Sequence, residues 1–378
     1  MRLLAIDIGG HTQDILLFDT EELVENCFNM IMPSPTTIAA WRIKEATAER
    51  RPVVFTGVNA GGGPAFWALQ DHLKAGLKAY STPEAAVSFD DDLDKVAEMG
   101  VKLVSEDEAK KVRRAARIEL LDVDLGAILV AFRLFGIEPV LHGLAVGVLD
   151  HGVPSTKGMS DRFFRFEHLR NLMNQRNELI ACCYTAEEVP PYLTRMRTVA
   201  ANLQYNVPLV LMDTGPAAAL GAREDRRVAK EDRLVAVNMG NFHTLAFHLE
   251  GDKVLGFFEH HTGMLNARKA EALIGRLVQG TLTNEDVFAD GGHGAWVSRG
   301  APSVPFVTVT GPQRNLMARS RLKPHFATPY GSMMLAGCFG LVRAFGLRVE
   351  QFQGQIERSL KRSTTARALR PVPPSKVV

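Results

Sequence analysis

Cysteine is scarce in this chain of 378 residues: there are four, Cys27, Cys182, Cys183 and Cys338, and none has C-x-x-C spacing. That argues against a disulfide framework and suits a reducing cytosol. Net charge is nearly absent too, +2 at neutral pH with both signs spread along the chain, which argues against a dedicated nucleic-acid binder. Long apolar runs are missing. The longest stretch, around Ile128–Ile137, is interrupted by Arg133 and is too short to span a bilayer, so no membrane partner is expected. The first residues enter a strand with neither a basic nor an apolar leader region, which predicts no signal peptide and a cytoplasmic location. Neither G-x-S-x-G nor H-E-x-x-H is present.

What is present begins at once. Leu3–Asp19 holds two apolar, β-prone runs around a short polar turn with two glycines, Gly9 and Gly10. This predicts a β-hairpin. A glycine turn exposes several backbone N–H groups with no Cβ in the way, a concavity that binds phosphate. Asp7 ends the first strand beside it. A carboxylate there would repel phosphate unless a hard cation such as Mg²⁺ lay between, directly or through water. Thr12 adds a hydroxyl donor.

At this length two domains are the expectation. Glu25–Met32 reads as a third strand and Thr37–Arg50 as a helix. Pro52–Thr56 reads as a strand running into the loop Gly57–Gly63, a plain β–α turn before a helix opened by Pro64. Asp90–Arg117 is highly charged. Ser105 and Glu108 form a capping box, and Glu106 and Asp107 precede Lys110 and Lys111 by four residues, so the basic stripe reads as a solvated helix face. Ile118–Val123 and Val140–Val148 read as strands of one sheet.

Three later segments matter together. Pro208–Ala222 is a buried strand ending at Asp213, followed by a helix of small residues. Leu234–His260 repeats the opening pattern: apolar strand, glycine-containing turn at Asn238–Thr244, second strand, tight turn, third strand. Two copies of one phosphate-type hairpin imply two similar domains facing one ligand. Pro305–Leu316 is a β-rich run closing in Gly311-Pro312, and Gly331–Gly340 is a second small-residue helix, expected to cross the first closely.

This order resembles the actin-like ATPase superfamily of sugar kinases, heat-shock chaperones and actin. The matching segments are phosphate-1 (Asp7–Asp14), connect-1 (Pro216–Ala222), phosphate-2 (Asn238–Thr244), adenosine (Thr310–Arg314) and connect-2 (Gly331–Gly340). More narrowly, the text around Val237–His248, Thr310–Asn315 and Gly331–Gly340 resembles a prokaryotic family labelled as a pyruvate formate-lyase activating enzyme. A radical activase needs three close-spaced cysteines for its iron–sulfur cluster, a motif this chain lacks, so no cluster is expected.

The resemblance implies a two-domain α/β fold with a nucleotide cleft, divided as 1–224 with helical and charged insertions, 225–360, and a disordered tail over 361–378. It implies ATP or ADP with Mg²⁺ held by Gly9, Gly10, His11, Thr12, Asn238, Gly240, Asn241, His243, Thr244, Gly311, Pro312 and Arg314. Asp7 is the metal partner, and Asp7 and Asp213 are the catalytic candidates. Two positions depart from the pattern. Asn238 stands where an Asp often orders metal-bound water, and Gly215 where an acidic residue often positions attacking water. Hydrolysis should therefore be slow or absent. The expected role is a nucleotide switch acting on a protein partner or a second copy of the chain, with a weak ATPase or small-molecule kinase activity. A silent scaffold and an activator of a metabolic enzyme are the alternatives.

Other groups are weaker. His260 and His261 sit at a strand end near His243 and His248. Strand neighbours point to opposite faces, so both cannot easily bind one metal, and structural histidines are the default. Vicinal Cys182-Cys183 seldom close a disulfide. A cluster shared across a dimer, as in activators of hydroxyacyl-CoA dehydratases, would use two separated cysteines. Asp290–Gly294 reads as a surface turn.

Overall fold

In a computed structural model, residues 1–365 other than Lys157 and Gln204 are described, with side chains described through Arg362. The strands in chain order are β1 (Arg2–Ile8), β2 (Thr12–Asp19), β3 (Phe28–Pro33), β4 (Val53–Gly57), β5 (Ala79–Ser81), β6 (Val101–Leu103), β7 (Ala116–Leu120) and β8 (Gly143–Val148). They continue as β9 (Cys183–Thr185), β10 (Leu209–Met212), β11 (Arg233–Met239), β12 (His243–Glu250), β13 (Lys253–His261), β14 (Gly294–Val297), β15 (Phe306–Thr310) and β16 (His325–Phe326).

Two six-stranded sheets carry the molecule, in the orders β3-β2-β1-β8-β10-β9 and β14-β13-β12-β11-β15-β16. Each starts as an antiparallel meander whose first strand then pairs in parallel with a later one, β1 with β8 and β11 with β15. A further parallel step follows in each, β8 to β10 and β15 to β16. The hairpin repeat read from the sequence is thus a repeat of whole-sheet topology. The central strands are buried on both faces, which is why they read as continuous apolar runs rather than alternating ones.

A third, four-stranded parallel sheet, β6-β5-β4-β7, forms a small α/β unit inserted between β3 and β8. The strands expected near Ile118 and Val140 therefore belong to different sheets: β7 pairs with β4, whereas β8 pairs with β1. Pairing across such distances in sequence leaves no local signal.

Four helices position the cleft: α1 (Asp161–Gln175), α2 (Thr214–Ala222), α3 (Ala336–Arg348) and α4 (Glu350–Thr365). α2 follows the first sheet, yet its Ala219 and Ala222 join the core of the second, with Leu234, Ala236 and Phe247. α3 follows the second sheet, yet Cys338, Phe339, Leu341 and Phe345 join the core of the first, with Leu3, Ala5 and Ala145. A division at 224/225 would therefore place α3 and α4 with the wrong core. The two helices cross as expected. A side chain at Gly221 would clash with the Ala336 carbonyl, and one at Gly340 with the Ala217 carbonyl, so backbone lies on backbone. α4 takes in Lys361–Thr365 of the expected tail, and 366–378 lie outside the described residues. No helix among the described residues is long and apolar enough to cross a membrane.

Candidate functional site

The two hairpin turns close with the same hydrogen bond. Gly9 N–H donates to the Thr12 carbonyl at 2.8 Å, and Gly240 N–H donates to the His243 carbonyl at 2.9 Å. The registers Asp7↔Asp14 and Asn238↔Leu245 then set Asp7 equivalent to Asn238 and Thr12 to His243. The turns face each other across a cavity of about 450 Å³. They also touch: the Phe242 ring lies against Gly10, where a side chain would clash with it, and packs edge-on against His11 and Trp67.

Asp7, Gly9, Gly10, Thr12, Asn238, Gly240, Asn241, His243, Gly311 and Pro312 line the cavity. The other candidate residues are placed differently. The His11 ring packs on Phe242. Thr244 is fully buried and bonds the Thr262 hydroxyl at 2.9 Å, because the register puts His243, not Thr244, at the position of Thr12. Arg314 donates to the Gly311 carbonyl at 3.3 Å, bracing the turn from behind. Asp213 is buried at the N-cap of α2, and both its oxygens take hydrogen bonds from Arg165. With that carboxylate committed, a catalytic role for Asp213 has no geometric support.

Asp7 and Asp14 face each other across β1 and β2, and both line the cavity. Asp7 accepts from the Thr214 hydroxyl at 2.6 Å. It fits only because its neighbours are glycines: a Cβ at Gly147 would sit 2.6 Å from its Oδ1, and one at Gly337 would clash with Oδ2. Burial pushes Asp7 up to about 7, with the Thr214 hydrogen bond pulling it down and Asp213 adding repulsion. Burial, then repulsion from Asp7, pushes Asp14 up to about 8. Oδ1 of Asp14 is buried without a hydrogen-bond partner. An unpaired buried oxygen between two carboxylates is what a hard cation satisfies. The second hairpin has no such pair. Asn238 donates to the Thr310 hydroxyl at 3.2 Å, and Leu245 stands opposite it.

Two features were read differently in the sequence. The loop taken for a plain β–α turn lines the cavity with Asn59, Gly61, Gly62 and Gly63. It opens onto an acidic lobe of Asp90, Asp91, Asp150 and Asp161, where burial and then the charges of Asp161, Asp150 and Asp90 push Asp91 up to about 6. The segment taken for a surface turn buries His293 completely. The His293 ring lies 4.9 Å from that of His243 and 5.5 Å from that of His151, both on the cavity wall. His261 lies 5.1 Å from His243, while His260 points away to Asp290 at 3.2 Å. Behind them Arg165 bonds Glu259 through Nε at 2.9 Å, Asp213 at 2.5 Å and the Asp150 carbonyl. Nothing in a lone arginine of a mixed helix signals this role.

The four cysteines are buried and free. Cys182 and Cys183 enter the cores of the second and the first sheet respectively. Burial pushes the Cys27 thiol up to about 11 and the Cys183 thiol up to about 12.

Duplicated meander-plus-parallel sheets, paired glycine turns across a cleft and crossed small-residue helices define an actin-like ATPase fold. Residues 60–316 match the model of a family described as "Putative pyruvate format-lyase activating enzyme (DUF1786)", and the chain belongs to that family. No curated protein sequence matches it. Among solved structures it is similar to an inorganic polyphosphate/ATP-glucomannokinase from Arthrobacter sp. strain KM. That match has 13% identity, covers 92% of this chain and 99% of that one, and has a TM-score of 0.33. A ROK hexokinase from Thermus thermophilus matches with 12% identity over 93% of this chain and 100% of that one, TM-score 0.32. The ethanolamine utilization protein EutJ from Carboxydothermus hydrogenoformans matches with 11% identity over 90% and 89%, TM-score 0.31.

Proposed function

We propose that the chain binds ATP or ADP with Mg²⁺ in this cleft and uses the bound nucleotide as a switch on a partner enzyme, with slow hydrolysis or none. The observation that supports it best is the pair of equivalent glycine turns facing one cavity, with the Asp7–Asp14 pair beside one of them. Backbone N–H groups of the turns would hold phosphate oxygens. Asp7 and Asp14 would hold Mg²⁺, which neutralises phosphate charge, and Gly311-Pro312 would border the adenosine.

Slow turnover follows from the groups around the phosphates. Asn238 brings an amide where a carboxylate would order water. Gly215 packs on Leu245, whose Cδ2 would lie 2.6 Å from a Cβ, so an acidic side chain there would have to displace Leu245. Asp213 is held by Arg165. The acidic lobe favours a second reading, phosphoryl transfer to a small hydroxylated acceptor. Asp91, pushed up to about 6, stands in the range of a general base.

Isothermal titration of the full chain with MgATP and MgADP tests the binding. One site is expected, with the Mg²⁺-dependent part of the affinity lost in Asp7→Ala. No heat and no thermal shift with any adenine or guanine nucleotide would leave the scaffold reading in its place. Turnover of ATP accelerated by a hydroxylated acceptor and lost in Asp91→Asn would favour the kinase over the switch.

A further inference from the structure

We propose that His151, His243 and His293 form a transition-metal site in the wall of the cleft, separate from the Mg²⁺ pair at Asp7 and Asp14. It takes a borderline divalent ion such as Zn²⁺ through three imidazole nitrogens. Its open position faces the cavity, for an anionic oxygen of the bound ligand.

The three residues come from three unconnected segments. His151 follows β8, His243 begins β12, and His293 lies in the glycine loop before β14. One ring nitrogen from each lies within 4.8 Å of the others, and they are the only such group of three or more potential ligands among the described residues. Nitrogens on a tetrahedral Zn²⁺ at about 2.0–2.1 Å stand about 3.4 Å apart, so small ring rotations close the set. Three imidazoles suit Zn²⁺ and its neighbours rather than Mg²⁺ or Ca²⁺.

His293 supplies an independent sign. It is fully buried, and neither ring nitrogen has a hydrogen-bond partner. A buried polar group left unpaired in a native fold calls for an explanation. His248 shares that condition, but it belongs to no ligand group. The loop is built to deliver His293. Side chains at Gly292 and Gly294 would collide with Val287 and with Asn284 and Phe166, and Gly294 has φ +154. Glu259, held by Arg165, lies 3.8 Å from Nδ1 of His293, a negative charge beside the site but not a hydrogen-bond partner. Burial first, then neighbouring cationic and imidazole charges, holds His151 and His293 below the usual histidine range. Burial also lowers His243, to about 4. Neutral imidazole is the form that binds metal.

Only three protein donors converge, the pattern of zinc sites that keep one position for water or substrate. His293 lies behind and His151 and His243 line the cavity, so the free position points into the cleft. A phosphate or carboxylate oxygen completes the ion there. His151 follows β8 of the first sheet, whereas His243 begins β12 and His293 precedes β14 of the second, so occupancy ties the two halves together.

The test uses the full chain, stripped with chelator and titrated with Co²⁺ as an optical probe and with Zn²⁺ by calorimetry, without nucleotide. One ion per chain is expected, with tetrahedral Co²⁺ absorption that Zn²⁺ abolishes. His151→Gln and His243→Gln should each weaken binding by roughly 100-fold or more, while exposed His142→Gln should not. Both variants sit on the cavity wall, and circular dichroism verifies their fold. Inorganic phosphate should alter the Co²⁺ spectrum, and an unchanged spectrum would overturn the open position. Substoichiometric binding, or equal affinity in the two variants and the wild type, would overturn the site. With nucleotide left out, either result is independent of the nucleotide reading.

Discussion

At the scale of single residues, the Asp7–Asp14 pair governs how the cleft responds to protons and cations. Both carboxyls keep a proton in the folded chain well above the ordinary 3.8, Asp7 to about 7 and Asp14 to about 8. The unfolded chain releases those protons near pH 4, so between there and about 8 the native state binds more protons than the unfolded one. Stability then falls as pH rises, and each unit of difference is about 1.4 kcal/mol. Without divalent cations the melting temperature should fall as pH climbs from about 4 and level off above about 8, and Asp14→Asn should flatten the fall. Mg²⁺ favours the ionised pair, so the stabilisation it gives should grow over the same window. Melting curves with chelator and with Mg²⁺ check both points, and a Mg²⁺ effect that shrinks with rising pH would remove the cation from this pair.

At the scale of elements, the crossing of α2 and α3 is the tightest constraint. Gly221 and Gly340 each lie on a backbone carbonyl of the other helix, and a carbonyl in a helix cannot rotate away. Gly221→Val and Gly340→Val should each cost about 3 kcal/mol, the upper end of ordinary overpacking. Urea unfolding measures it. Gly275→Ala, in the helix Ala267–Gln279 with nothing near its Cβ, should instead gain about 0.5–1 kcal/mol from helix propensity. Tolerance of valine at the crossing would mean the helices do not meet there. Gly337 is a different case, because its neighbour is the Asp7 carboxylate, so a side chain there damages the site rather than a hinge. Both hairpins and the small-residue helix at Pro216–Ala222 were legible in the sequence because their signals are local: alanine and glycine runs, and apolar strands around glycine turns. The second helix, read over Gly331–Gly340, begins only at Ala336 and runs on to Arg348. The pairing of β7 with β4 was not legible, because parallel pairing is decided by distant chain. His293 was missed for a related reason. A glycine loop looks like surface, and only tertiary packing buries it.

At the scale of the whole molecule, one side chain joins the halves. Arg165 on α1 bonds Asp213 and the Asp150 carbonyl on the first sheet's side and Glu259 of β13 in the second sheet. All three charged groups are buried, and the partners lie 48 and 94 residues away in sequence, beyond the reach of any spacing argument. Two carboxylates around one guanidinium leave the group a formal charge of −1, and loss of the cation would leave both acids buried without a counter-charge. Removing one partner of a buried ion pair costs about 3–5 kcal/mol, so Arg165→Met should lose at least that in urea unfolding at neutral pH. Glu259→Gln leaves Arg165 paired with Asp213 and should cost less. It should also disturb metal binding by His293, whose Nδ1 faces that carboxylate, whereas nucleotide affinity should change little. An Arg165→Met variant as stable as the wild type would show that this network does not hold the halves together. The cleft would then have to be organised by the crossed helices alone.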